Sequence, residues 1–581
     1  MLPSNDNPGP ASGDDPASPL RRFGPVVAIV AVVAMVAGFV IVGSGDDDDG
    51  EDGTDVAGAE PSAVNERPDG AISYSEAQKQ DLDVSFPDSC DTELGTVAIP
   101  VTFAPECFAD VEDNGGATHP GVTQDSISVV VYSAAEDDPV INFVTGPIAN
   151  DDTAAEVRET TAEFIELFNT YFQTYGRRID VHFVEASGNA PDEVAAAADA
   201  ARAIEEFQPF AAIGGPLLNN AWSSAMADAG VVCIGCGLTG GHDFHAARAP
   251  FLYSEAMAGV QTNLHVANYI EARLAGGTAM HGGDDVKDQA RVFGHVYFRA
   301  TEEDDTEAEL LYDLLGERGI EIADGAKASY SLRDLAALPE QVSSAITKMK
   351  AAGVTTVLLQ GDPYGPSLVL AEATEQNYAP EWVMAGGQLF DTTAFGRTFD
   401  QEQWSHAFGI TNAVARLDRE SSPPTLLYRW FTGAEPPAPD TAGVLWRNPL
   451  LFVSALQTAG PNLTPQTFQE GLFSLETGAL AITNRQSAYG PVSYWEELGI
   501  TSDYFGVDDM TEIWWDAAAE GPDELGREAA GMVRYVLGGK RYLPDGWAGT
   551  QDHLFDPAGS TTVYETAPAD ERAPGYPSPA G

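Results

Sequence analysis

Positive charge is scarce in this chain of 581 residues: 29 lysines and arginines stand against 89 aspartates and glutamates, a formal net charge of −60. So acidic a surface repels phosphates and excludes nucleic acid as a partner, and it excludes docking on an anionic membrane through basic patches. Cysteine is scarcer still, with four residues, and none stands directly after the apolar run near the N-terminus, which excludes a lipid attached there. Catalytic signatures are missing too. There is no Gly-x-Ser-x-Gly elbow, no His-Glu-x-x-His and no phosphate loop ending in Gly-Lys-Ser/Thr. Paired carboxylates occur everywhere at this composition, so they carry no signal. What remains is a chain that is 44% hydrophobic, long enough for two or more domains of roughly 100–200 residues each.

The one long apolar run is "PVVAIVAVVAMVAGFVIV", Pro25 to Val42, which carries no charge. At ~1.5 Å per residue it spans about 27 Å, close to a ~30 Å hydrocarbon core. Arg21 and Arg22 precede it and Asp46 to Asp49 follow, so the positive-inside tendency puts the N-terminus in the cytoplasm. A signal peptide cut near Gly43, Ser44 and Gly45 is the rival reading, but the polar lead of about twenty residues is long for one. The expectation is a cell-membrane protein with one span over 25–43 and the bulk of the chain extracytoplasmic. Residues 1–24 are expected as a disordered cytoplasmic tail, 44–117 as an acidic spacer and loop-rich lead-in, and 556–581 as a flexible tail.

An oxidising compartment favours disulfides. Cys90 and Cys107, 17 residues apart, are expected to be bonded. The other two cysteines lie in "VVCIGCGLTGGHDFH", residues 231–245, which admits several readings. Cys233, Cys236, His242 and His245 are zinc-ligand types, though the gap between the cysteine and histidine pairs is far shorter than in the usual finger. Gly235-x-Gly237-x-x-Gly240 matches a dinucleotide loop in letters, but the next clear helix is expected only near Gly259. A local disulfide or a buried thiol pair, in a glycine-rich loop lining a cleft, is the favoured reading. No cofactor and no metal is expected. His119 and His265 read as surface or core histidines with satisfied rings.

Between the tails, strand-like runs alternate with amphipathic segments. "SISVVVYSA", "RIDVHFVEA", "PFAAIGG" and "VVCIGC" form one series and "RVFGHVYF", "IEIADGAKASY", "VTTVLLQG" and "EWVMAG" a second, with helical patterns between. In the first helix, 153–176, Ala162, Ile165, Phe168 (or Leu167) and Phe172 recur at helical spacing. Such alternation predicts an α/β fold of two doubly wound parallel sheets with right-handed crossovers. Lobe one is expected over 118–252 with part of 386–490, and lobe two over 253–385 with part of 491–555. Ligands of open parallel sheets sit beyond the carboxyl ends of the strands, so two facing lobes form a cleft there.

"THPGVTQDSISVVVYSA" resembles the opening of type I periplasmic binding proteins, the leucine/isoleucine/valine-binding type that serves ABC transporters. "FAAIGGPLLNNAWSSAMADAGVVCIG", "PEWVMAGG" and "PLLFVSALQTAGPNLTPQTFQEGL" resemble later parts of that family, and "DTTAFGRTFDQEQWSHAFG" and "YVLGGKRYLPDGW" resemble its membrane-anchored actinobacterial branch. The resemblance covers roughly 118–550. It implies a two-lobe clamp with three hinge crossings that binds a small polar solute, such as an amino acid or amide, for an ABC permease. The ligand-binding residues it implies are Ser133, Asn219, Asn220, Gly237 and Thr239 on lobe one and Tyr297, Asp362 and Tyr364 on lobe two. The chain departs from the family at "PLLNN", where a serine commonly follows the Gly-Pro. A ligand-sensing receptor built on the same clamp is the alternative, followed by an extracellular metalloprotein or hydrolase centred on 233–245.

Overall fold

The structure is a computed structural model. It describes residues 67–581 except 149, 238, 388, 479 and 550–552, and the backbone alone of residue 324. The tail 1–24, the apolar run 25–43 and the start of the spacer lie outside the described residues; among those described, no helix is long and apolar enough to cross a membrane.

The lead-in holds two two-residue strands, β1 (Cys90–Asp91) and β2 (Thr96–Val97), closed by the Cys90–Cys107 disulfide. A five-stranded parallel sheet follows, of β3 (Ser126–Ser133), β4 (Arg178–Glu185), β5 (Ala211–Ile213), β6 (Val232–Ile234) and β7 (Leu252–Tyr253), in the order β4-β3-β5-β6-β7. Its strands are apolar without a break because both faces are covered. Val129 and Val131 face a cluster with the helix Ala154–Tyr171, while Val130 and Tyr132 face one with the helices Glu193–Phe207 and Ala221–Asp228.

The caps that start these helices are written in the sequence. Thr153 Oγ1 accepts from Glu156 N at 3.1 Å and Glu156 Oε2 accepts from Thr153 N at 2.7 Å, a reciprocal pair that satisfies two orphan donors. Asp192 accepts from Val194 N and Ala195 N. Each such cap contributes about 0.5–2 kcal/mol. The buried face of the first helix runs through Val157, Thr161, Phe164, Ile165 and Phe168; Ala162 lies off it and Phe172 ends the helix in an extended conformation.

The second sheet has nine strands. β8 (Phe293–Phe298), β9 (Ile322–Tyr330), β10 (Thr356–Gln360), β11 (Glu381–Ala385) and β12 (Ala407–Thr411) are parallel, in the order β12-β11-β10-β8-β9. The long hairpin β13 (Met510–Pro522) and β14 (Glu528–Val536) adds antiparallel to β12, and β15 (Arg541–Tyr542) and β16 (Ser560–Thr561) complete it. Lobe two therefore continues past 385 through β12. The chain then returns to lobe one, where the helices Pro423–Thr432, Arg447–Thr458 and Pro465–Phe473 join its core cluster.

Two of the crossings run side by side: Ser254 N donates to Tyr504 O and Gly506 N to Ala256 O, both at 3.0 Å. Arg541 stitches the crossings together. It forks onto Asp509 with two bonds of 2.7 Å and donates to Ala413 O and Asn412 O. Both side chains of that ion pair are fully buried.

The stretch 556–581, expected as a flexible tail, is instead a strap. β16 pairs with β14 on lobe two, and Glu571 is buried and accepts from Ile482 N and Thr483 N at 2.6 and 2.8 Å. Farther on, Trp430 Nε1 on lobe one donates to Tyr576 O, and Tyr576 OH donates to Asp91 on the lead-in, whose Val97 and Ile99 pack into the lobe-one core. Backbone pairing and a buried carboxylate hold a segment that has few core-forming side chains.

Candidate functional site

The carboxyl ends of the parallel strands in both sheets face each other across a cavity of about 200 Å³. On lobe one, Asp138 starts the helix Pro139–Thr145 by accepting from Val140 N and Ile141 N, and its other oxygen accepts from Ala190 N at 2.5 Å. That buried carboxylate fixes Val140 and Val144 on the cavity wall. Leu217 and Leu218, after β5, continue the apolar side. The same valines and Leu218 share one core cluster with lobe-two residues such as Ala300 and Leu332, so an apolar seam crosses the cleft. Phe143 meets Tyr364 edge-on, with ring centroids 4.1 Å apart, and Arg333 pairs with Glu193 at 3.2 Å across the mouth.

Lobe two supplies the polar side. The helix Glu303–Glu317 brings Asp304 and Glu307 to the wall, and a hydrogen-bonded chain stands beside them. The Glu307 carbonyl accepts from Asn263 Nδ2 at 2.8 Å. Asn263 Oδ1 accepts from Gln360 Nε2, and Gln360 Oε1 lies 2.9 Å from His295 Nε2. Because a backbone carbonyl can only accept, each amide is oriented in turn, and His295 is left donating from Nε2 and accepting from Tyr312 OH at Nδ1, 3.0 Å away. Burial pushes the His295 ring down to about 4, so it stays neutral.

Glu307 is the exceptional acid here. Burial, reinforced by the charges of Asp304 and Glu303, pushes its carboxyl up to about 8, and none of the described residues donates a hydrogen bond to it. Two glycines make room for it. A Cβ at Gly259 would stand 1.8 Å from Glu307 Oε2, and one at Gly241 would stand 2.8 Å from Oε1. The loop of residues 237–245 thus presses bare backbone against lobe two.

The expected residues fall into three groups. Thr239, Tyr297 and Asp362 line the cavity; Asn219 and Asn220 line the adjoining recess at its mouth; Ser133, Gly237 and Tyr364 are on neither wall. Ser133 ends β3 with its carbonyl bonded to Ala186 N, and Gly237 lies under Phe244 and His245. Asn219 is spent on structure, its Nδ2 donating to Ala190 O and its Oδ1 accepting from Ala221 N. Thr239 Oγ1 donates to Asn220 Oδ1. Tyr297 OH donates to Asp305 at 2.7 Å, and burial with that bond pushes its hydroxyl up to about 12. Asp362 caps the helix Gly365–Glu375 through Tyr364 N and Gly365 N, and burial raises its carboxyl. Sequence reasoning missed Asn263, Glu307 and Gln360; of these only Gln360, a polar residue ending the apolar run of β10, leaves a local mark in the sequence.

Cys233 and Cys236 are joined by a disulfide, which removes two ligands from the zinc reading of this loop. Among the described residues no group of three or more His, Cys, Asp and Glu could hold a metal ion. A five-residue helix, His242–Ala246, follows Gly241, too short for the dinucleotide pattern and earlier than the helix expected near 259. His265 is a core residue, donating to Asp508 O and accepting from Trp547 Nε1. A second cavity of about 240 Å³ lies between the lead-in, the returning helices and the β13–β14 hairpin, and two of its three arginines are paired, Arg419 with Asp440 and Arg416 with Glu524.

No family model matches the chain, and no curated protein matches it. Solved structures do. A solute-binding protein of an ABC transporter from R. palustris, in complex with 4-hydroxybenzoate, is 10% identical, covers 70% of this chain and 97% of its own, with a TM-score of 0.48. An ABC-transporter substrate-binding protein from Aeropyrum pernix is 13% identical over 70% of this chain and 94% of its own, at 0.47. A branched-chain amino acid transporter substrate-binding protein from Streptococcus pneumoniae, in complex with isoleucine, is 14% identical over 71% of this chain and all of its own, at 0.45.

Proposed function

We propose that this chain is a membrane-tethered, extracytoplasmic solute-binding protein of the type I periplasmic binding class, which captures a small polar solute between its lobes and delivers it to an ABC permease. One observation carries the reading: the cavity is walled by the carboxyl ends of parallel strands from two separate sheets, where open α/β sheets bind ligands. The sequence supports it with the resemblance over 118–550, the uncharged run 25–43 as anchor and the acidic spacer as tether. The protein breaks no bond; its chemistry is closure, in which a ligand touching both walls favours the shut arrangement.

The test is thermal unfolding of the full chain in detergent against a broad metabolite panel. A ligand at about 100 times its Kd stabilises by about 2.7 kcal/mol, a clear rise in Tm. A panel that shifts nothing refutes the reading. Co-purification with a permease supports the transport role, and co-purification with a kinase in its place refutes it.

A further inference from the structure

We propose that the cleft selects a small amine of net positive charge that carries no carboxylate, with Glu307 as the residue that selects it; this rests on the solute-binding reading above. No lysine, arginine or histidine lines the cavity, while Asp304, Glu307 and Asp362 do. The three acids are not equivalent. Asp362 is satisfied by the backbone amides of the helix it caps, and Asp304 accepts from Thr301 N at 2.7 Å. Among the described residues Glu307 alone of the three has no donor, and a half-buried carboxyl without a partner, facing the cavity, is matched best by a ligand that brings one. A ligand carboxylate would meet acids on this wall and Val140, Val144 and Leu218 on the opposite one. Tyr297 and Phe298 add aromatic rings, which suit an ammonium group.

The titratable groups facing Glu307 set the pH behaviour. They are Glu303 and Asp304 on its own helix, Tyr297 and Asp362 on the neighbouring strand ends, and, one residue beyond Gly241 on lobe one, His242, which is held by Ser502 O at 3.0 Å. With the Glu307 carboxyl at about 8 in the empty cleft, an arriving ammonium expels its proton. Affinity then rises by up to about tenfold per pH unit toward pH 8 and levels off above it.

The experiment is calorimetric titration of the full chain in detergent with 1,4-diaminobutane, choline, isoleucine and 4-hydroxybenzoate from pH 6 to pH 9. The expected result is binding of an amine, rising affinity up to about pH 8 and release of a proton. Glu307→Gln, isosteric with the neutral acid, is expected to lower amine affinity at least tenfold and to abolish the pH slope. Gly259→Ala, which displaces the carboxyl from a neighbouring helix of the same lobe, should have the same effect. Binding of isoleucine or 4-hydroxybenzoate without either amine overturns the inference and leaves the clamp intact. Unchanged amine affinity in Glu307→Gln overturns it as well. Failure of every solute class, in the broad panel too, overturns the clamp itself.

Discussion

Phe143→Ala separates the closure of the lobes from their folding. Phe143 projects from the lobe-one helix Pro139–Thr145, and Tyr364 stands at the start of the lobe-two helix Gly365–Glu375, their ring centroids 4.1 Å apart and the planes at 65°. Such a pair is worth about 0.5–1.5 kcal/mol beyond the area it buries. Both rings are half-buried, so truncation also loses part of the roughly 1.5–3 kcal/mol of a full side-chain burial. A total of about 1–2 kcal/mol lost from the shut arrangement weakens ligand affinity about five- to thirtyfold. The neighbouring Arg333–Glu193 pair is exposed and adds about 0–1 kcal/mol at most. The assay is calorimetric affinity beside the Tm of the ligand-free chain. The expected result is weaker binding with little change in Tm, since the contact joins lobes and holds neither together. Tyr364→Phe keeps the ring and should match the parent. A large fall in Tm with unchanged affinity would refute the reasoning, because the pair would then belong to a core.

Glu381 is fully buried and accepts from Arg291 at 2.8 and 3.1 Å, from His281 N and from Thr356 Oγ1, so Glu381→Ala strands a buried guanidinium and should cost about 3–5 kcal/mol in denaturant unfolding. The Cys90–Cys107 bond closes a longer loop than Cys233–Cys236, with separations of 17 and 3, so removing it should cost about 3 kcal/mol against about 2 for the shorter one in the same assay. The Glu307 carboxyl is raised in the folded state, so its stabilising contribution is full below about pH 4.5 and is lost as pH rises through about 8. Glu307→Gln should therefore flatten the fall in ligand-free Tm between pH 5 and pH 8, and an unchanged slope would refute the assignment.

Both parallel sheets are legible in the sequence because strands covered on both faces become unbroken apolar runs, as at Val129–Tyr132, and the helices between them carry their own start signals at Thr153 and Asp192. The β13–β14 hairpin is not: "MTEIWWDAAAEGP" mixes alanines, acids and paired tryptophans, and only pairing with β12 makes it a strand. Part of the cleft is legible for the same reason. Thr239, Tyr297 and Asp362 sit where strands end, a place the alternation locates. Glu307 sits in the second turn of a helix that reads "EDDTEAELL", and in so acidic a chain nothing in those letters distinguishes it from its neighbours. Its character comes from Gly241 and Gly259, more than 45 residues away in the chain and brought close only by folding. The strap was hidden likewise, since Glu571 becomes a core residue only when it meets the backbone of 482 and 483.

That strap has a practical consequence for anyone watching the protein move. It carries the C-terminus back from lobe two to Trp430 and Asp91, so both ends of the described body are moored to the same half. Dyes fixed at the two extremities would hold a constant spacing through any opening or shutting and report nothing. A label near the exposed Leu537, on the far half, read against one near the exposed Leu82, is the arrangement that registers the swing.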